Sequence, residues 1–111
     1  MDMLDKEIAE LNILLEDYKG KNLLVMGRNK SEDYSRVISS HEIRRNKPND
    51  TYSVKIVFND GKTLEYADVE DVEINENKKP KVWIREKGMQ EPHPKIVFGE
   101  GCTTYVTRTE P

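Results

Sequence analysis

The stretch TYSVKIVFNDGKTLEYADVEDVEI, Thr51 to Ile74, decides how the rest of the chain is read. Val54, Ile56 and Phe58 alternate with Ser53, Lys55 and Val57, the period-two pattern of a strand with one apolar face. Asn59-Asp60-Gly61 follows, and Gly61 supplies the positive φ that a tight reversal needs. Lys62 to Tyr66 returns as the second strand, with Leu64 and Tyr66 on the face opposite Thr63 and Glu65. Ala67 to Asp71 is acidic and short, and the expectation there is one helical turn feeding a short strand, Val72-Glu73-Ile74. A lone hairpin is marginal in water, so the flanking segments must supply more strands or a helix for its apolar face.

The N-terminus supplies the helix. Leu4, Ile8, Leu11, Leu15 and Tyr18 recur at steps of four and three, with Leu14 beside them, and form one apolar stripe. Asp2 is placed to cap this helix, Asp5 and Glu7 lie near its positive end, and Gly20 is a natural stop. About four turns are too few for a stable free coiled coil, so the stripe covers a sheet or pairs with a second copy.

The remaining segments read as strands and loops. Asn22 to Gly27 (NLLVMG) has the continuous apolar run of a strand buried on both faces, and Arg28 to Asp33 is a polar loop. Tyr34 to Arg45 reads as a long, bulged strand, and Asn46 to Asp50 as a loop around Pro48. Lys81 to Arg85 alternates Val82 and Ile84 against Trp83 and Arg85. Lys87 to Pro94, with Gly88, Pro92 and Pro94, is irregular, and Lys95 to Phe98 with Cys102 to Arg108 forms a final hairpin. The expected fold class is α+β: an N-terminal amphipathic helix followed by a mostly antiparallel β-sheet or small barrel of six to eight strands, as a single domain over 1–111.

Composition narrows the function classes. Charged and hydrophobic residues each make up 35% of the 111 residues, a modest apolar supply that burial in an oligomer would supplement. A net charge of -3 is unlike a general nucleic-acid binder. The single cysteine, Cys102, permits no internal disulfide, no signal-peptide pattern is evident, and the expected compartment is cytoplasmic. No run approaches the roughly 20 apolar residues of a membrane helix, so no membrane partner is expected.

The residues that could carry chemistry are few. His41 and His93 are far apart and Cys102 has no cysteine partner, so no zinc-ligand spacing exists and no metal or other cofactor is expected. Gly99-Glu100-Gly101 resembles a phosphate loop only in its glycines; no helix follows, and it reads as a hairpin turn. Ser39, His41 and Asp50 make a triad by composition alone, which geometry must decide, and catalysis is not expected. The acidic block Glu65 to Glu76 contains no Lys or Arg; it reads as a solvated face that discourages edge pairing, without the spacing of a calcium loop. What remains is a set of cations among aromatics and threonines. Arg28, Arg44, Arg45, Arg85 and Arg108 accompany Trp83, Tyr105, Thr107 and Thr109. Arginine grips phosphate bidentately and an indole stacks on a base, so the combination suits a nucleotide-like ligand.

At Arg28, Trp83, His93 and the Arg108-Thr109 pair the sequence resembles the Thoeris anti-defence sponge family of small phage proteins, first type. The similarity covers most of the chain in layout and rests on single residues. It implies a non-catalytic protein, acting in the cytoplasm of the infected bacterial host, that sequesters a cyclic ADP-ribose-type nucleotide made by bacterial TIR enzymes. It also implies a homo-oligomer, dimer or hexamer, with a cyclic oligonucleotide at a second site in some members. By the same resemblance Trp83 stacks on the adenine, Arg28 and Arg108 pair with the pyrophosphate, and Thr109 adds a hydroxyl contact. His93 stands where the family pattern has an asparagine. The competing expectation is a Tudor- or SH3-like small β-barrel acting as an interaction or nucleic-acid module, to which FNDGKTLEYADVEDVEI is similar in rhythm. A further expectation is that the Leu4-Ile8-Leu11-Leu15 stripe contributes to an oligomer contact.

Overall fold

The computed structural model describes residues 3–27, 32–47, 50–75, 78–90 and 95–99. Helix α1 (Met3–Asp17) is followed by β1 (Asn22–Met26), β2 (Tyr34–Asn46), β3 (Thr51–Phe58), β4 (Thr63–Asn75), β5 (Lys81–Glu86) and β6 (Lys95–Phe98). Each strand pairs antiparallel with the next, and β6 pairs back onto β1, Leu23 opposite Phe98 and Val25 opposite Ile96, so the sheet closes into a ring. The chain is thus α+β, with one leading helix and a wholly antiparallel sheet.

Closure depends on two long strands that each serve two neighbours. The start of β2 pairs with β1 through Tyr34 to Val37, and the rest pairs with β3 from Ile38 to Asn46. The first part of β4 pairs with β3 up to Val69, and the remainder pairs with β5. Both strands change partners at irregularities, between Ile38 and Ser40 in β2 and between Val69 and Asp71 in β4. An extra residue at such a point bends the strand and sharpens its twist, which carries one chain segment from one side of the ring to the other.

The central hairpin forms as its residues dictate. Gly61 takes φ +86°, its N–H donates to the Phe58 carbonyl at 3.0 Å, and Val54, Ile56 and Phe58 all point inward. The Lys62 N–H donates to Asp60 Oδ1, and Arg36 Nε donates to Asp60 Oδ2 at 2.8 Å while its guanidinium lies 4.3 Å from the Tyr34 ring centre. The Asp60 carboxyl is held below its ordinary range by these donors, the Lys62 N–H first and Arg36 second.

The expectation of a helical turn before Val72 is overturned. Ala67 to Asp71 forms no helical turn; it is the middle of the continuous thirteen-residue strand β4. The turn-like composition reflects a backbone kink at Asp68, which adopts φ +47°. Aspartate tolerates that region better than most residues, and its neighbours hold it there. The Thr51 hydroxyl donates to Asp68 Oδ1 at 3.2 Å, and the Asp68 carbonyl accepts the Lys87 N–H at 2.8 Å. Thr51, 3% exposed, is in turn bonded by Asn46 Nδ2 at 3.1 Å, and the Ser53 hydroxyl donates to Asn46 Oδ1. This chain of polar contacts ties the kink in β4 to the turn between β2 and β3.

The helix covers the ring against β2 and β4. Ile8, Leu11 and Leu15 are buried in the same core as Leu23, Ile38, Ile56, Phe58, Ile84 and Phe98. Polar latches fix its position: the Tyr52 hydroxyl donates to Asp5 Oδ1, and the His41 ring bonds Asn12 Oδ1 through Nε2 at 2.7 Å. Tyr18 packs on Phe98, and Gly20 (φ +85°) ends the turn after the helix with its N–H on the Ile38 carbonyl at 2.8 Å. The apolar stripe is therefore consumed within the chain, and the expectation that it forms an oligomer contact is corrected by its burial. The proposed cap Asp2 and the strand expected at Cys102 to Arg108 lie outside the described residues. Among the described residues no helix is long and apolar enough to cross a membrane.

Leu11 is fully buried at the centre of this contact. Leu11→Ala should lower unfolding stability by about 2–5 kcal/mol, read from the urea midpoint, because the closed ring has little room to collapse onto the void. Leu11→Asp should unfold the chain rather than dissociate a folded assembly, as judged by circular dichroism alongside light scattering.

Candidate functional site

Outward-facing residues on β4 and β5 build the most distinctive surface. In β5, Val82 and Ile84 are fully buried, while Trp83, Lys81, Arg85 and Glu86 alternate or trail to the outside. The only tryptophan of the chain is therefore half-buried and stands outside the core cluster. Its cross-strand partners are Glu73 on β4 and Lys95 on β6. Val72 turns into the core between Asp71 and Glu73, which places both acidic residues on the outer face beside Trp83.

The N-terminal end of α1 closes the other side. Met3, Glu7, Asp71, Val72, Glu73, Ile74, Asn75 and Trp83 line an open cleft of about 600 Å³. Its wall is apolar at Met3, Ile74 and Trp83, and Met3 is 70% exposed. Glu7 is half-buried, and its carboxyl is pushed above the ordinary range by burial first and by Glu10 next; Asp71 and Glu73 add to the rise, and Lys6 opposes it. No ion pair or hydrogen bond joins Glu7, Asp71 or Glu73 to another side chain among the described residues.

The arginines are disposed differently. Each of the four described ones has a carboxylate partner: Arg36 with Asp60, Arg44 with Glu42, Arg45 with Asp50, and Arg85 with Glu70. Arg85 shares the outer face of β5 with Trp83, as the alternation predicts, but it is held by Glu70 and donates to the Met89 carbonyl at 3.3 Å. Of the five residues singled out for nucleotide binding, Trp83 alone is described; Arg28, His93, Arg108 and Thr109 lie outside the described residues. A diphosphate placed on Trp83 would meet the carboxylates of Glu7, Asp71 and Glu73 and would need those two arginines to offset them.

A second depression, of about 420 Å³, lies over β2, β3 and β4 between Glu42, Arg44, Ser53, Lys55, Glu65 and Glu86. Its charges alternate in sign and partly satisfy one another, as Arg44 and Glu42 do at 3.1 Å. Ser39, His41 and Asp50 do not form a triad: His41 bonds Asn12 and lies 3.7 Å from Glu16, while Asp50 pairs with Arg45. Among the described residues no three His, Cys, Asp or Glu side chains converge as a metal site requires.

No protein-family model, curated protein or solved structure matches this chain. The alternation in Lys81 to Arg85 marks Trp83 as outward, so half of the cleft is legible in sequence. The contribution of Met3 and Glu7 has no local signal, because it depends on how the helix docks.

The raised pKa of Glu7 has a consequence for stability. A carboxyl whose folded-state pKa exceeds its unfolded one contributes full stability only in its protonated form, below the unfolded pKa. That contribution is lost as pH rises through the folded value. Glu7→Gln removes the ionised charge and its repulsion. The variant should melt higher than the parent at about pH 7, and the gap should close at about pH 3, where Glu7 is protonated. Paired thermal melts at the two pH values check this.

Proposed function

We propose that this chain is a non-catalytic binding module whose recognition surface is the cleft between α1 and the outer face of β4 and β5. The observation that carries this reading is the position of Trp83. Fully burying a large apolar side chain stabilises a fold by about 1.5–3 kcal/mol, yet this chain leaves its one tryptophan half-exposed in a cleft. Exposed aromatic surface bordered by charge is the usual mark of a contact surface. The core interior is filled by other side chains, so binding falls to the outside of the ring. Acidic groups around Trp83, with a net charge of -3, favour a protein partner over a nucleic acid at this cleft.

The reading is tested without knowing the partner. Acrylamide should quench Trp83 emission in the native state. Trp83→Ala should lower stability by about 1 kcal/mol or less, against the 3–5 kcal/mol typical of a core tryptophan. A shielded indole, together with a Trp83→Ala variant that unfolds, would return Trp83 to a structural role and remove the basis of the reading.

A second reading, sequestration of a cyclic ADP-ribose-type nucleotide as a phage anti-defence sponge, is favoured by the same half-exposed indole, which offers adenine a stacking face. It carries with it Arg28, His93, Arg108 and Thr109 as partners, a homo-oligomeric dimer or hexamer, and a second site for a cyclic oligonucleotide. Calorimetric titration with cyclic ADP-ribose isomers, with Trp83 emission followed in parallel, tests it. Binding that weakens about ten- to a hundredfold in Arg108→Ala, the loss of one charge-assisted phosphate contact, supports this reading. Absence of any isotherm overturns it.

A further inference from the structure

We propose that the cleft beside Trp83 is a docking groove for an extended partner segment carrying lysine or arginine at alternate positions. This rests on the reading of the chain as a binding module and names the class of its partner.

The apolar wall and the acidic rim select that chemistry together. Lysine and arginine have aliphatic stems that lie along apolar surface while the charged head stays at the rim. Trp83, Ile74 and Met3 supply the apolar wall, and the face of an indole attracts a cation directly. Glu7 from the helix and Asp71 and Glu73 from β4 supply the negative charge, and no described side chain forms an ion pair with any of them. The described arginines are all committed to other carboxylates. Lys6 opposes the acidic field at Glu7 but is outweighed there by burial and by Glu10, Asp71 and Glu73.

The spacing narrows the partner further. Asp71 and Glu73 are alternate residues on one strand, so their carboxylates repeat at about 7 Å along the groove. Alternate side chains of an extended peptide repeat at the same interval on one face. The carboxylates are strung along the cleft rather than converging on one point, which suits several side-chain cations better than a single ion. A volume of about 600 Å³ is within the range of established binding clefts and holds more than one such side chain. The acidic block Glu65 to Glu76, which reads in sequence as a solvated face, thereby acquires a use at its far end.

The test follows Trp83 emission in the full chain during titration with the peptide Gly-Arg-Ser-Arg-Ser-Arg-Gly, against the same peptide with glutamate in place of arginine. The arginine peptide should shift the emission saturably and the glutamate peptide should not. Affinity should fall several-fold between about 0.05 and 0.2 M salt. Glu73→Gln and Asp71→Asn alter exposed side chains and should leave the circular dichroism unchanged while weakening binding at least about tenfold in combination. An absent shift with the arginine peptide, or undiminished binding in the double variant, overturns the proposal. A nucleotide that shifts Trp83 emission where the arginine peptide does not also overturns it, while leaving the binding-module reading intact. Failure of that reading shows separately, as the shielding and unfolding of Trp83 variants.

Discussion

Everything in this fold follows from the need of β2 and β4 to bend. A six-stranded antiparallel sheet that stayed flat would leave two edges and one uncovered apolar face. Here the two thirteen-residue strands change partners midway, and the sheet curls until β6 reaches β1. The kink in β4 takes a positive φ at Asp68, which is costly for a residue with a side chain. The contacts from Thr51 and Lys87 to Asp68 offset that cost, and they reach from the β2–β3 turn to the end of β5. A bond made by one threonine hydroxyl thus links three segments whose relative placement defines the ring.

Closing the ring leaves its interior to be filled by inward alternate residues and one side to be covered. Helix α1 performs the second task with Ile8, Leu11 and Leu15, and is oriented by bonds from Tyr52 and His41 to Asp5 and Asn12. The helix then has a second effect, because its first turns stand over the outer flank of β4. Met3 and Glu7 meet Asp71, Glu73 and Trp83 there. The cleft is a by-product of the same docking that completes the core, so the most distinctive surface of the molecule depends on the packing of Leu11 and Leu15 beneath it.

Charge is partitioned over this surface. The described arginines lie where a carboxylate can reach them, at the β3–β4 turn, along β2 and at the β5 end. Exposed pairs of this kind contribute little to stability, but they remove positive charge from the remaining surface. On the flank of β4, Glu70 is paired with Arg85, but Asp71 and Glu73 form no ion pair among the described residues and stand beside Trp83, the one described aromatic outside the core cluster.

Much of this was legible from residues alone. The alternation of Val54, Ile56 and Phe58, the Asn59-Asp60-Gly61 reversal, the stripe from Leu4 to Tyr18 and the outward placement of Trp83 are local patterns, and local backbone geometry sets them. The segment Ala67 to Asp71 misleads, since an acidic run in a helical-looking window is also what a strand shows where its outer face is solvated and Asp68 kinks it. A stripe such as that of α1 fits a sheet of its own chain or a second copy equally well, and only the closed ring, which presents an apolar surface of the right curvature, selects the first. The residues of the chain by themselves determined most of the described elements, the middle of β4 excepted, and which faces they bury. Only the tertiary structure decided that Glu7 and Met3, nearly seventy residues before Asp71 and Glu73, share a cleft with them, because that contact arises from the docking of a helix across strands and leaves no periodic trace in sequence.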